Sequence, residues 1–320
     1  MKPPYKITDK ALSLCLEIAT ILGHLDGIQS HLPRPELRKK NRIKTIQGSL
    51  AIEGNTLSIS QVTALIDSKP VVGSQKEIKE VVNAVKAYDH LSKYKHQKIE
   101  SLLKCHNLLL HGLIEDSGSF RHGGVGILKG NEVSHVAPPA SRVPKLMENL
   151  FSFLKSEKET HLIIKSCVFH YELMFIHPFS DGNGRVGRLW QTVILIRHHP
   201  VFQYLPIEQV IKDNQKAYYE VLEQCDSEGE STHFIEFLLG LLLNALQDLK
   251  NQVKSEIQTP DSRLGLAQNN FAKREFTRKD YMLFHKTVST ATASRDLKHG
   301  IDCGKLSKLG EKALTRYNFK

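Results

Sequence analysis

No apolar run in this 320-residue sequence approaches the roughly 18 residues that a membrane-spanning helix requires. The longest candidate, Phe237 to Ala245, is interrupted by Gly240. The opening Met1-Lys2-Pro3-Pro4-Tyr5 leads into polar residues and lacks the short apolar core of a secretory leader, so a cytoplasmic protein without membrane contact is expected. Cysteine is scarce as well. Cys15, Cys105, Cys167, Cys225 and Cys303 are scattered, with no Cys-x-x-Cys pair and no histidine at ligand spacing. They read as reduced, mostly buried thiols and argue against a disulfide framework or a zinc site.

What is present is helical periodicity. Hydrophobic residues make up 40% and charged residues 24%, within the globular range, and the length suits one large domain with a small one, or two domains. Leu12 to Leu22 suggests a first helix capped by Thr8 or Asp9, and Ser58-Ile-Ser-Gln61 is a capping box opening a second short one. Glu77 to Leu91 places Ile78, Val81, Val82 and Val85 on one stripe. Further helices are expected at 101–114, 143–154, 160–176, 184–197, 207–222 and 232–249. Gly123 to Val136 breaks the pattern: apolar residues at Val125, Ile127, Val133 and Val136 flank a Lys129-Gly130-Asn131 turn signal, which predicts a β-hairpin ended by Pro138-Pro139.

The net charge of +10 is uneven, since 15 Lys and Arg against 7 Asp and Glu lie between Lys250 and Lys320. Such a basic stretch is either a solvated face or a nucleic-acid surface. Residues 251–270, polar and carrying Pro260 and Gly265, read as a linker. Beyond it, short helices followed by a Gly-bounded strand pair fit a small winged helix-turn-helix domain over 271–320.

The chemistry concentrates in His177-Pro178-Phe179-Ser180-Asp181-Gly182-Asn183-Gly184-Arg185-Val186-Gly187-Arg188, between two apolar helices. Pro178 pushes the residue before it out of the α region and stops the first helix. Gly182 and Gly184 let the backbone come close to a ligand, and the positive end of the next helix favours phosphate. Arg185 and Arg188 add cations that fork onto phosphate oxygens. Asp181 offers the hard oxygen that Mg²⁺ takes beside phosphates, and His177 a base of near-neutral pKa. Singly, a His before Pro is a loop residue and Gly-Asn-Gly a turn. Six such groups within twelve residues resist that reading.

This run resembles, position for position, the Fic family signature HPFx(D/E)GNGRxxR. The resemblance spans about 49–240 and implies a mainly α, Fic-type helical core with a β-hairpin flap, ATP as donor and AMP transfer to a Ser, Thr or Tyr hydroxyl of a target protein. It implies His177 as catalytic base, Asp181 holding Mg²⁺, and Gly182, Asn183 and Gly184 at the α-phosphate. Arg185 and Arg188 would take the outer phosphates, with Val186 and Gly187 in the same nucleotide-binding turn. Val133, Ser134 and His135 of the hairpin would lie at the nucleotide's edge, and the flap would dock a target segment by strand addition. Tyr218 and Tyr219 fall where the family presents rings to adenine and ribose, although adjacent tyrosines on a helix also read as one core and one surface residue. Asp226 departs from the Asn found in related enzymes.

Ser49-Leu-Ala-Ile-Glu53-Gly54 resembles the family's inhibitory motif, (S/T)xxxE(G/N). The i, i+4 spacing sets Ser49 and Glu53 on one helix face, and Gly54 ends that helix. By resemblance Glu53 pairs with Arg188 and denies it to the γ-phosphate. The expected organisation is a helical region with the inhibitory motif at 1–95, a catalytic core at 96–250, the linker and the winged helix. The target, including the protein itself, is not specified, and a homodimer stays open. An alternative is a nucleotide-sensing regulator that binds DNA through the winged helix. Another donor nucleotide or a phosphocholine carrier is a further alternative, and the Arg185/Arg188 pair argues against the latter.

Overall fold

The computed structural model describes residues 2–320 apart from 28–32, 34, 125, 130–131, 158, 258, 273, 287 and 312–314, with backbone alone for 126–129, 132–136 and 254–257. The chain divides into two units, Met1–Gln247 and Asp248–Lys320. In the first, α1 (Asp9–Asp26), α2 (Pro35–Ile52), α3 (Ile59–Ile66), α4 (Gln75–Asp89) and α5 (Ile99–Leu110) precede a hairpin of β1 (Gly126–Lys129) and β2 (Glu132–Val136). Then come α6 (Val143–Ser156), α7 (Leu162–Ile176), α8 (Asn183–His198), α9 (Ile207–Asp213), α10 (Gln215–Glu228) and α11 (Thr232–Ile257), whose residues from Asp248 on fall in the second unit. The fold is mainly α.

Local chemistry sets the helix starts. Thr8 accepts from the Ala11 N–H and opens α1. Ser58 and Gln61 exchange both bonds of the capping box at α3, and Ser74 accepts from Glu77 at α4. α7 is apolar around most of its circumference and must be covered on all sides, and α8 covers it although it carries Arg185, Arg188 and Gln191. They pack on each other at the centre, and every residue of α8 from Asn183 to Leu195 is buried. Trp190 lies here against the rings of Tyr94 and Phe151. α2 packs on α9 and α8, so the helix that carries Ser49 and ends just before Glu53 belongs to the same unit as the later ones.

β1 and β2 pair antiparallel, with Gly126 opposite Val136 and Lys129 opposite Glu132, and the register shifts between Ile127 and Leu128. The Gly130-Asn131 part of the turn signal and Val125 lie outside the described residues.

The second unit contains α12 (Pro260–Phe271), α13 (Arg278–His285), α14 (Thr290–Asp302), β3 (Leu306–Leu309) and β4 (Arg316–Phe319). The strands are antiparallel, and Phe276 and Tyr317 exchange backbone hydrogen bonds in both directions beside them. Leu264, Phe271, Phe276, Tyr281, Leu297, Leu306 and Phe319 form the core. The stretch read as a linker at 251–270 is instead helical over most of its length. Pro260 occupies the first turn of α12, where its missing N–H breaks no bond, and Thr259 caps the helix by accepting from Ser262. Among the described residues no helix is long and apolar enough to cross a membrane.

The second unit also buries a charge. Asp296, fully buried, accepts from Arg263 Nε and Nη2 at 2.5 and 2.6 Å and from the Tyr281 hydroxyl at 3.1 Å. Removing one partner of such a pair strands the other in a poorly solvated site, at a cost of about 3–5 kcal/mol. Asp296→Ala is therefore expected to accelerate amide hydrogen exchange throughout 260–320 by that amount while leaving exchange in 162–198 unchanged. Unaltered protection of α12 and α14 would refute the assignment.

Candidate active site

α7 ends at His177, whose backbone adopts the left-handed conformation (φ 49°, ψ 59°) while its N–H still reaches the Leu173 carbonyl. The residue before Pro178 thus leaves the right-handed helical region, as its position requires. The loop that follows is closed by one side chain. Asn183 Oδ1 accepts from the Phe179 N–H and its Nδ2 donates to the Phe179 carbonyl, each at 2.9 Å. The Asn183 amide is therefore committed to shaping the loop, which leaves the backbone N–H groups of this turn as the donors available to an anion. Gly182 caps α8 at φ 85°, and a Cβ there would meet Leu110 Cδ2 at 2.6 Å.

Two residues not singled out by the sequence hold this loop from below. His106, fully buried, accepts from the Gly118 N–H at Nδ1 (2.8 Å) and donates from Nε2 to the Asp181 carbonyl (3.0 Å). Its ring stacks on Phe179 with centroids 3.8 Å apart. Both bonds require the neutral imidazole, and burial pushes its pKa below the usual histidine range. Arg121, 3% exposed, donates from Nε to the His177 carbonyl (2.7 Å), from Nη1 to Gly123 (2.7 Å) and from Nη2 to Pro138 (2.5 Å). Its own N–H donates to the Pro178 carbonyl at 2.9 Å. All these acceptors are backbone carbonyls, which leave no pattern in side-chain sequence.

A cavity of about 540 Å³ opens above the loop, lined by His177, Ser180, Asp181, Gly182, Asn183, Gly184 and Arg188, by Glu53, and by Lys216, Tyr219, Glu220, Glu223 and Asp226 of α10. His177 Nδ1 donates to the Met174 carbonyl at 3.3 Å, which keeps the proton on Nδ1 and the lone pair on Nε2. Asp181 is half-exposed at the wall. Burial alone would raise its carboxyl, but Arg185 Nη2 at 2.8 Å and the Gly182 N–H outweigh that and hold it below the usual carboxylate range. Arg185 also lies 3.5 Å from Glu80 of α4, whose other oxygen accepts from Asn55 at 2.8 Å.

Arg188 is held most tightly. Its side chain is 1% exposed, and Nη2 donates to Glu53 Oε1 at 2.7 Å and to the Ser49 carbonyl at 2.9 Å, while Nε reaches Ser49 Oγ at 3.3 Å. Burial alone would weaken its hold on the proton, but the Glu53 carboxylate beside it keeps the guanidinium firmly charged. Glu53 reaches this point because α2 stops there. Gly54 N–H bonds to Ala51 and Asn55 N–H to Leu50, a Schellman closure with Gly54 left-handed at φ 89°. The carboxylate then fills the space that Gly184 leaves open, since a Cβ at 184 would lie 2.5 Å from Glu53 Oε1.

Not every residue of the expected site faces the cavity. Val186 is buried in the core, and Gly187 packs against the His170 ring. Tyr218 is fully buried, its hydroxyl 3.0 Å from His170 Nε2 and its ring among Phe234, His170 and Tyr219. Tyr219 alone of the pair lines the cavity, because neighbours on a helix point about 100° apart and one must face the core. Ser49 stands behind Arg188. Asp226 accepts from the Tyr171 hydroxyl at 2.9 Å. β2 carries Val133, Ser134 and His135 close to α10, but their side chains lie outside the described residues. Among the described residues no group of three His, Cys, Asp or Glu side chains is arranged to hold a metal.

Comparison with known proteins places this site in a family. The Fic/DOC family profile matches residues 97–195, which include the whole loop and Arg188. The protein adenylyltransferase Fic of Drosophila virilis is 29% identical over 248 residues, covering 72% of this chain and 49% of that protein. The chain thus spans about half the length of the curated relatives it matches. Fic-1 of C. elegans shares the fold, with a TM-score of 0.63 at 21% identity over 77% of this chain and 73% of that one. The crystal structure of a Fic family protein from Desulfovibrio desulfuricans G20 aligns over 100% of this chain and 98% of its own, with a TM-score of 0.77 and 40% identity. Matched at that identity from end to end, and carrying its signature loop on the wall of the cavity, the chain belongs to the Fic family.

Proposed function

We propose that this protein transfers AMP from ATP to a hydroxyl side chain of a protein, and that Glu53 restrains the reaction. One observation carries the reading. His177, Asp181, the N-terminus of α8 and Arg188 converge on a single cavity, which gathers a base, a hard oxygen ligand and phosphate-binding groups within reach of one nucleotide. The names of the curated relatives support adenylyl transfer as the reaction.

In this reading His177 Nε2 takes the proton of the target hydroxyl as its oxygen bonds to the α-phosphorus. The bond to the bridging oxygen breaks and pyrophosphate leaves. The α8 N–H groups hold the α-phosphate oxygens, and the arginines hold the outer phosphates. Asp181 fits a divalent cation as its single protein carboxylate, half-exposed beside the phosphate turn, with the phosphates and water completing an oxygen shell of the kind Mg²⁺ prefers. Such an ion would neutralise charge on the leaving pyrophosphate. Tyr219 offers a ring to the base, and the hairpin offers a strand edge to the target. The five unpaired thiols suit a reducing, cytoplasmic compartment.

His177→Ala is expected to lower AMP transfer by roughly 10²–10⁴-fold, the range for loss of a general base, with ATP binding nearly intact. Incorporation of α-labelled AMP in the presence of Mg²⁺, beside calorimetric ATP titration, measures both. A variant that keeps more than about a tenth of the wild-type rate would overturn the base assignment.

Glu53→Gly is expected to raise labelling. A charge-assisted hydrogen bond contributes about 1.5–3 kcal/mol, so its removal corresponds to a rise of roughly tenfold to a hundredfold. Adding Arg188→Ala is expected to abolish the gain. Equal or lower labelling by Glu53→Gly at matched folded concentration sinks the restraint, and full labelling by the double variant sinks the role of Arg188.

A further inference from the structure

We propose that the second unit binds double-stranded DNA through the outward face of α14, which makes the chain a nucleic-acid-binding protein independently of its cavity chemistry. The unit runs helix, bridging residue, helix, helix and two antiparallel strands, with Phe276 bonded to Tyr317 at the sheet. α13 and α14 are separated by a short connection, so they form a helix-turn-helix followed by a strand pair.

α14 divides cleanly into two faces. Ala293, Asp296, Leu297 and Gly300 are buried, and the Asp296–Arg263 pair pins that side to α12. Ala291, Ser294, Arg295 and Lys298 recur at i, i+3, i+4 and i+7, the spacing of one helical face. Arg278, at the first position of α13, donates to Ser294 Oγ at 3.0 Å and so adds its guanidinium to this face. Small side chains at the N-terminal half of α14, Thr290, Ala291 and Ser294, let its backbone enter a groove, and the two long cations follow one turn on.

The charge balance selects the partner. Asp280 closes the capping box of α13, Asp296 is buried, Glu275 pairs with Arg316, and Asp261 pairs with Lys305 and His299. The other described acids of 260–320, Asp302 and Glu311, lie at the last residue of α14 and in the β3–β4 connection. Meanwhile Arg278, Lys279, Lys286, Arg295 and Lys298 are exposed, and among the described residues none of them makes an ion pair. A docking face for protein would carry an apolar anchor at its centre. Among the described residues, the exposed large apolar side chains of this unit, Leu283 and Leu309, are on α13 and β3 and not on α14. Polyanionic, groove-shaped DNA fits what α14 offers: Arg295 can fork onto a guanine edge in the major groove, and Lys298 and Arg278 can meet phosphates.

The test uses the full chain and a labelled pool of random-sequence duplexes, read by fluorescence anisotropy over a range of salt concentrations. Tight binding with a log–log salt slope steeper than about −3 is expected. Arg295→Ala with Lys298→Ala should weaken it at least tenfold and make the slope shallower by about 2. Lys40→Ala with Lys69→Ala, which removes two exposed charges of the first unit, should change it little. Arg295→Lys should keep the salt slope but lose sequence preference among duplexes selected from the pool. Three outcomes overturn the proposal. They are no binding at about 50 mM salt, which leaves the unit a protein-docking role, a slope near zero, or equal losses from the two charge-removing pairs. Circular dichroism melts that match wild type ensure that a loss of binding reflects the face and not the fold.

Discussion

A guanidinium buried to 1% exposure has to be surrounded by acceptors, and Arg188 sets that demand inside the first unit. Its donors are met by one turn of α2, through the backbone and hydroxyl of Ser49 and the carboxylate of Glu53. The position of α2 against α8 is therefore fixed by electrostatics as much as by apolar packing, because moving it would strand a buried cation. The same demand reaches Gly184, whose missing side chain is the space in which Glu53 sits. Phosphates are the other natural partner for such a cation, so in the proposed function the nucleotide and Glu53 would compete for one set of N–H groups.

Below the loop, stability comes from neutral groups. Asn183 closes the turn on Phe179, and His106 bridges Gly118 and Asp181 as an uncharged imidazole. These bonds shape the turn from within the protein, which would spare the proposed phosphate site from ordering its own backbone at the moment of binding. Arg185 is shared by Asp181 and Glu80, and Glu80 is bonded in turn to Asn55, two residues beyond Glu53. The end of α2 is thereby connected to both arginines of the loop.

Much of this was legible in the sequence, for reasons that differ by residue. The loop from His177 to Arg188 is contiguous, so its members stay together however the rest folds. Ser49 and Glu53 were readable through their resemblance to the family's inhibitory motif, which helical spacing and Gly54, both local, support. The rest of α2 was harder, since its buried side includes Asn41, Thr45 and Gln47 and leaves little apolar periodicity. Pro260 misled the reading of 251–270, because a proline that breaks a helix interior is at home in a first turn. Tyr218 and Tyr219 could not be told apart without the direction of the core. Arg121, His106 and Glu80 gave no sign, as each acts on groups far away in sequence, and the first two act on backbone.

Arg121 joins two segments of chain that are otherwise separate. Through one planar group it grips the carbonyl of His177 and the carbonyls of Gly123 and Pro138, the residues on either side of the hairpin. A guanidinium is stiff, so the foot of the hairpin and the backbone of the histidine behave as a single lever with its fulcrum at residue 121. Movement of the hairpin's foot is thereby coupled to the backbone that carries the imidazole, and in the proposed reaction a segment that seated badly on the hairpin would tilt the group meant to meet its hydroxyl.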